Sequence, residues 1–295
     1  MSSGITYMHE HITIDLSKGK NDMDCCLDAS ADTLQELKKI KKAGVANIVD
    51  VTNRGMGRNI EYVKKIQEDS GINIIFSTGF YKEPYLPPEV YSFSVRELAE
   101  IMISEIMNGI GGTSIRASLI GEIGTGKGEI SPIEQKVFEA ASIAHAETGC
   151  AISTHTTLGT LGLEQVKLLK SNGVDPGRVI IGHVDLSQDI DYILRLIDQG
   201  VYVAFDTVGK INYVPDEKRA DMLAVLIERG LAEKIVLSMD ITRKSHLKNR
   251  GGLGYGYLIE NFIPLLLKHG ISRRDCHTML VDNPARLLKN GGGIA

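Results

Sequence analysis

The sequence has little of what several large protein classes require. Tryptophan is absent and aromatic residues account for only 5% of the 295 residues, whereas glycine occurs 31 times. This composition favours a chain with many short turns over a β-sandwich with an aromatic core. No stretch approaches 18 uncharged apolar residues, and the N-terminus has no basic segment followed by a long apolar run. Neither a transmembrane helix nor a secretory signal is therefore predicted, and we expect a cytoplasmic protein without a membrane partner.

Cysteine and basic residues are also limited. The four cysteines, of which Cys25 and Cys26 are adjacent, show neither zinc-type CxxC spacing nor a disulfide framework. The 33 basic and 37 acidic side chains give a net charge of −4, whereas contacts to nucleic-acid phosphates need a basic excess. These counts argue against a nucleic-acid partner and favour a small-molecule substrate, and they leave the oligomeric state open.

Short apolar runs alternate with longer helical patterns along the whole chain. Several runs, such as NIVDVT and VIIGHV, are almost continuously apolar, as is typical of parallel strands covered on both faces. The helical patterns include 31–43, 59–70 and 94–109. The eight apolar runs are 5–11, 46–52, 72–78, 117–123, 150–155, 178–184, 201–206 and 235–240.

Eight strand–helix units in series predict a (β/α)8 TIM barrel. The chain contains no repeat, low-complexity block or proline-rich linker, so we expect a single domain over residues 1–295. An open doubly wound sheet is the alternative fold. The placement of the polar residues favours the barrel.

Most of the polar residues of interest stand where an apolar run ends. The first run ends in His9-Glu10-His11, and because strand side chains alternate, His9 and His11 point to one face while Glu10 points to the other. Later runs end in further residues that bind metals or move protons: Glu122, His155, His183 and Asp240. A barrel brings the carboxyl ends of its strands to one mouth, where active sites lie.

Four histidines and two carboxylates at strand ends predict a binuclear metal site. One bridging carboxylate, with two histidines on one side and two histidines and an aspartate on the other, would complete two nitrogen and oxygen ligand sets. We expect two divalent ions, zinc in the first instance with manganese as the alternative. The remaining histidines lie in helical or loop stretches and are interpreted as surface or supporting groups: His145, His246, His269 and His277.

The segment 121–127 offers a competing interpretation, because it satisfies the GxxxxGK pattern of a phosphate-binding loop. Gly128 stands where that loop needs Ser or Thr to hold magnesium. The following helix is expected to begin only near Ser131-Pro132, with Ser131 as its cap. Nucleotide binding is therefore kept only as the weakest alternative.

The ligand pattern resembles the dinuclear site of the phosphotriesterase family, within the amidohydrolase superfamily. The likeness extends over essentially the whole chain. The segments that carry it are TNRGMGRN (52–59), STGFYKEPYLPPEV (77–90), STHTTLGTLGLEQ (153–165), FDTVGK (205–210) and SMDITRKSHL (238–247).

The resemblance implies a division of the ligands between two ions. It assigns His9, His11, Glu122 and Asp240 to the more buried ion and His155 and His183 to the more exposed one, with Glu122 as the bridge. The best-known members of the family carry a carboxylated lysine where this chain has Glu122, so their organophosphate substrates do not transfer directly.

The expected activity is hydrolysis of a lactone or another ester. Two divalent ions lower the pKa of a shared water enough to supply a metal-bridging hydroxide near neutral pH, which attacks the ester carbonyl or a phosphoester. We take Glu122 and Asp240 as the catalytic carboxylates, with Asp240 as the proton shuttle. A metal-binding barrel without catalysis is the alternative function.

Substrate contacts are expected from the loops that follow the strands. The hydroxyl of Tyr81 is predicted to bond a substrate oxygen. Arg243 and Lys244 stand in residues 242–250, a block with several basic residues and no acid in a chain of net charge −4. This block predicts that the substrate is anionic.

Overall fold

Eight strands form the main sheet of the chain in the computed structural model, which describes residues 4–289. They are β1 (Ile5–Glu10), β4 (Val45–Asp50), β5 (Asn73–Thr78), β6 (Leu119–Thr125), β7 (Ile152–Thr156), β8 (Val179–Ile181), β9 (Tyr202–Phe205) and β10 (Ile235–Leu237). A small antiparallel hairpin, β2 (Ile14–Asp15) and β3 (Cys26–Leu27), follows β1. Each of the eight predicted runs overlaps one of these strands, although β8 and β10 are much shorter than their runs.

The order of strands in the main sheet follows their order in the chain, from β1 to β10. Neighbouring strands pair in parallel, as β1 does with β4 and β6 does with β7. Just beyond β10, the backbone N–H of Asp240 donates to the carbonyl of His9 at 3.3 Å, so the last strand segment bonds back to the first. The predicted (β/α)8 barrel is confirmed.

Helices separate the strands, as parallel connections require. Those in the described residues are α1 (Ser17–Lys20), α2 (Ser30–Lys42), α3 (Ile60–Ser70), α4 (Pro88–Ser92), α5 (Val95–Met107), α6 (Pro132–Thr148), α7 (Gly162–Ser171), α8 (Ile190–Asp198), α9 (Asp216–Glu228), α10 (Ile263–Lys268), α11 (Arg273–His277) and α12 (Asn283–Leu288). The three helices predicted by periodicity agree with α2, α3 and α5 to within two residues at each end. Ser94 begins α5 with a capping box, in which Glu97 returns the hydrogen bond.

The described chain forms two compact units. One contains the residues up to Asp50, Gly57–Ile74 and Phe205–Ala285, and the other contains Val51–Met56, Ile75–Ala204 and the last described residues from Arg286. The prediction of a single domain stays a prediction. Between residues 4 and 289, no helix is both long enough and apolar enough to cross a membrane.

Arg219 is the largest fully buried side chain of the described residues. It lies in α9 and donates to the Asp216 carboxylate at 2.9 Å, to Thr207 Oγ1 at 2.8 Å and to the carbonyl of Val214. Asp216 also accepts from the N–H of Gly209 at 3.1 Å. This buried network therefore holds the segment that follows β9.

We expect Arg219→Met to destabilise the chain by about 3–5 kcal/mol, because it leaves the carboxylate of Asp216 buried without its cation. Urea unfolding followed by circular dichroism measures the change. Arg229→Met, at the exposed end of the same helix, serves as the control and should change stability by less than about 0.5 kcal/mol. Equal effects of the two substitutions would contradict the role of the network.

Candidate metal centre

The first group of potential ligands is formed by His9, His11 and Asp240, whose ligand atoms all lie within 4.8 Å of one another. Nε2 of His11 is 3.3 Å from Oδ1 of Asp240, and Nε2 of His9 is 3.7 Å from the same oxygen. Both imidazoles are almost completely buried. Two imidazole nitrogens and a carboxylate oxygen are a ligand set that zinc and related transition ions use.

Asp206 lies beside His9 in this group. Its Oδ2 is 3.2 Å from Nδ1 of His9, and the carboxylate is fully buried. Metal-binding histidines commonly donate their second nitrogen to such a carboxylate, which fixes the tautomer and the ring orientation. Asp206 is not among the residues predicted from the sequence, although it ends the seventh apolar run in the same way that the predicted ligands end theirs.

Glu10 lies between the two histidines on the opposite face of β1, as the alternation of strand side chains predicts. It is completely buried, and burial raises the pKa of its carboxyl group, whereas hydrogen bonds from Ile241, Ser238 and Met239 oppose that rise. The side chain therefore contacts the segment after β10 and takes no place in the ligand group.

The second group of potential ligands consists of Glu122, His155 and His183. Oε2 of Glu122 is 3.3 Å from Nδ1 of His155 and 3.7 Å from Nε2 of His183. The same two histidine nitrogens are 2.9 Å apart. The structure thus brings the six predicted ligands into two groups, one with His9, His11 and Asp240 and the other with the remaining three.

The backbone at Glu122 leaves no room for a side chain on the preceding residue. Gly121 has a φ of +134°, and a Cβ built on it would lie 2.2 Å from the carbonyl oxygen of Ser153. The carbonyl of Glu122 accepts from Nδ2 of Asn53 at 2.7 Å. Glycine at position 121 therefore allows β6 and β7 to approach closely beside the ligand pair Glu122 and His155.

The imidazole of His155 is neutral at physiological pH, because burial lowers its pKa to about 4. A neutral imidazole is the form that binds a metal. The hydroxyl of Tyr81 lies 3.2 Å from Nδ1 of His155, and the two rings meet edge to face with centroids 5.0 Å apart. Tyr81 is thus next to the second ligand group, where its role in substrate binding stays a prediction.

Lys210 is a cation beside the first ligand group. It is not among the ligands or substrate contacts predicted from the sequence. Its ammonium contacts Oδ2 of Asp240, and its side chain is about 13% exposed. It also lines a cavity of about 110 Å³ with His246, Met239 and Leu253. The only signal for it in the sequence was its place at the end of FDTVGK, a segment quoted for the family resemblance.

His246 is half-buried in the same cavity, and its Nδ1 accepts from the N–H of Thr242 at 3.3 Å. Burial, together with the nearby charge of Lys210, lowers its pKa to about 4. The prediction of a supporting group fits this position.

The basic block 242–250 is balanced by acidic residues from the segment 22–32. The distances in its ion pairs are 2.6 Å from Arg243 to Asp22, 2.7 Å from Lys244 to Asp28 and 2.9 Å from Arg250 to Asp32. Acids remote in sequence therefore pair with these three cations in the folded chain. Contacts of Arg243 and Lys244 with a substrate stay predictions, but each of these two cations already pairs with an aspartate.

The segment 121–127 is not arranged as a phosphate-binding loop. The helix α6 begins at Pro132 with Ser131 as its cap, as predicted. The N–H of Gly126 donates to the carboxylate of Glu134 at 3.1 Å, so one of the loop amides that would face a phosphate faces a carboxylate of the protein. This contact argues against the nucleotide alternative.

The depressed pKa of His246 predicts a pH dependence of stability. Between about pH 6.5 and 4 the unfolded chain binds a proton at this residue that the folded chain excludes, so stability falls as the pH is lowered through this window. His246→Gln should therefore weaken the decline of Tm over that range. His277→Gln, at an exposed histidine, is the control, and an unchanged decline in the His246 variant would contradict the assignment.

Comparison with known proteins gives a consistent result. The profile of the phosphotriesterase family matches residues 1–288. The phosphotriesterase homology protein of Escherichia coli (strain K12) is 49% identical over 97% of this chain and 98% of its own length. Its crystal structure, a complex with phosphate in the active site, covers 97% of this chain and 99% of that chain with a TM-score of 0.95.

Two further relatives are more distant. A lactonase from Listeria monocytogenes is 29% identical with a TM-score of 0.93 and covers 97% of this chain and 95% of that chain. The aryldialkylphosphatase of Saccharolobus solfataricus is 31% identical over 97% of this chain and 95% of its own length. The predicted resemblance is confirmed: the chain is a hydrolase and belongs to the phosphotriesterase family.

Proposed function

We propose that this protein is a binuclear metal-dependent hydrolase that opens a lactone or another ester bond in a small anionic molecule. The observation that carries the proposal is the donor set at the strand ends. Four imidazoles and two carboxylates, collected in two groups, have the chemistry of two nitrogen and oxygen metal sites.

The surroundings of the donors fit metal ligands. Asp206 occupies Nδ1 of His9, which leaves Nε2 as the ligand atom on the side of Asp240. His155 is neutral before any ion binds, because its pKa is about 4. The contact with Asp206 favours one orientation of His9, and the low pKa allows His155 to bind a cation without first losing a proton.

The family resemblance guides the assignment of ligands. His9, His11 and Asp240 would hold one ion, His155 and His183 the other, and Glu122 would be shared. Zinc suits this set best, with manganese as the alternative. Two such ions, when bound, lower the pKa of a water molecule and polarise the oxygen of an ester carbonyl.

The protein's own residues would then position the substrate and move the proton. Asp240 is the proton shuttle toward the leaving group, because its carboxylate is polar, partly accessible and next to both histidines of the first group. Tyr81 would donate a hydrogen bond to a substrate oxygen from its position against His155.

An anionic substrate is supported by two observations. Lys210 places a cation beside Asp240 and on the wall of a cavity. The structure of the E. coli relative has phosphate in its active site, and the Listeria relative is a lactonase. A phosphorylated or carboxylated lactone combines an anionic group with the ester bond that the donor set would hydrolyse.

We expect the purified protein to contain close to two divalent ions per chain, and Glu122→Gln to lose at least one of them. The neutral amide weakens ligation, because it lacks the charge of the carboxylate. Elemental analysis before and after dialysis against chelator measures the content. Reconstitution of activity should not depend on bicarbonate, since a glutamate, unlike a lysine, needs no carboxylation.

Glu129→Gln is the matched control, because Glu129 is an exposed carboxylate in the loop that follows β6, the strand of Glu122. It should retain both ions and full activity. One ion or none in the reconstituted wild-type protein would contradict the binuclear proposal. Two ions without turnover of any lactone, ester or phosphotriester would favour the non-catalytic alternative.

We expect Lys210→Met to lower kcat/KM for a phosphorylated lactone more than for its uncharged counterpart. The loss of one charge-assisted contact, about 1.5–3 kcal/mol, should reduce the preference for the anion by roughly 10- to 150-fold. Arg243→Ala and Lys244→Ala should reduce it less, because these cations pair with Asp22 and Asp28, whereas Asp240, the partner of Lys210, would itself bind the metal.

The exposed Lys65, which pairs with Asp69 on the outer helix α3, provides the control substitution Lys65→Ala. This variant should keep the wild-type preference. A wild-type enzyme that hydrolyses both lactones equally well would contradict the anionic substrate class. Equal losses of activity on both substrates in Lys210→Met would mean that Lys210 acts only through its contact with Asp240.

A further inference from the structure

The carboxylate of Glu10 contacts three donors on the segment that carries Asp240. Oε1 accepts from the backbone N–H of Met239 at 2.7 Å and from the hydroxyl of Ser238 at 2.8 Å. Oε2 accepts from the backbone N–H of Ile241 at 3.0 Å. The two residues on either side of Asp240 therefore both donate their amides to this one side chain.

The amide of Asp240 itself points to the same strand, since it donates to the carbonyl of His9 at 3.3 Å. Three consecutive N–H groups thus converge on the end of β1. Two of them bond the carboxylate of Glu10, and the third bonds the backbone of His9.

Asp240 adopts a conformation that an ordinary side chain avoids. Its φ is +54°, in the left-handed region that residues other than glycine seldom adopt, although aspartate tolerates it better than most. Such a conformation persists only where its surroundings hold it. The hydrogen bonds to Met239 and Ile241 lie immediately before and after the unfavourable residue, where they restrain it most directly.

Ser238 extends the same contact to the ligand on the other strand. Its hydroxyl oxygen accepts from the N–H of His9 at 3.1 Å while the hydroxyl donates to Glu10. One buried carboxylate is therefore connected to the backbone next to two of the three members of the first ligand group, His9 and Asp240.

We propose that Glu10 is a positioning residue, which holds the left-handed backbone at Asp240 so that the Asp240 carboxylate faces His9 and His11. The inference rests on the proposed metal centre and adds to it a residue that does not touch the ion. Glu10 would set the affinity of the first ligand group, because it fixes the direction of one ligand before the metal arrives.

The test is the affinity of the metal-free protein for Zn²⁺, measured by competition with a chromophoric chelator, in wild type and in Glu10→Gln. Glutamine has the same shape but replaces one acceptor oxygen with a donor, so either Met239 or Ile241 loses its partner. We expect the affinity of one ion to fall 10- to 100-fold, the effect typical of residues that orient a ligand. Absorption bands of bound Co²⁺ should also change, since they report ligand geometry.

Glu134→Gln is the matched control. Glu134 is also a buried carboxylate that accepts from two backbone amides beyond a strand, those of Gly126 and Ser131, but neither amide neighbours a proposed ligand. This variant should lower Tm while leaving Zn²⁺ affinity and the Co²⁺ spectrum at wild-type values. If Glu10→Gln behaves in the same way, Glu10 is merely structural and the inference is overturned.

Two further outcomes separate this inference from the proposed function. Absence of metal binding by the wild type contradicts the proposed metal centre, and this inference with it. Should Glu10→Gln fail to fold, Ser238→Ala removes one donor to Glu10 and the link to His9, and we expect its Zn²⁺ affinity to fall by roughly threefold or more. Unchanged affinity in a folded Ser238→Ala protein would overturn the inference.

Discussion

Buried carboxylates impose the main constraint on the segments that follow the strands, because each carboxylate needs hydrogen-bond donors where water is excluded. Glu10 finds them in the amides around Asp240, Glu134 in the loop after β6, and Asp216 in Arg219 and the N–H of Gly209. In each case the donors include a backbone N–H from a segment that follows a strand. The segments that carry Asp240, a candidate ligand, and Lys210 are thereby held by side chains outside the two candidate ligand groups.

Charged side chains near the surface also pair with residues that are remote in sequence. The cations of the block 242–250 look unbalanced along the sequence, yet in the folded chain Asp22, Asp28 and Asp32 pair with them. The ion pairs join the loop after the last strand to the segment after the first. Lys210, in the loop after β9, contacts Asp240. The charge next to the first ligand group therefore comes from the loop after β9.

Much of the candidate site follows from local rules that a sequence displays. Alternation of side chains along β1 separates Glu10 from His9 and His11, and the buried runs end at the residues that the structure collects into two groups. The start of α6 at Pro132 also follows from a local signal, the Ser131 cap with its glutamate three residues later. These features depend on residues a few positions apart, so periodicity and capping chemistry are sufficient to predict them.

The sequence by itself determined the barrel, the strand ends and the identity of the six ligand candidates, because each depends on the order of apolar and polar residues along short segments. Only the tertiary structure decided that Asp206 lies beside His9, that Lys210 contacts Asp240 and that Glu10 binds the amides of Met239 and Ile241. These partners are 30 to more than 200 residues apart in the chain. These contacts form only when the last strand lies against the first. Patterns among residues close together in the sequence therefore do not predict them.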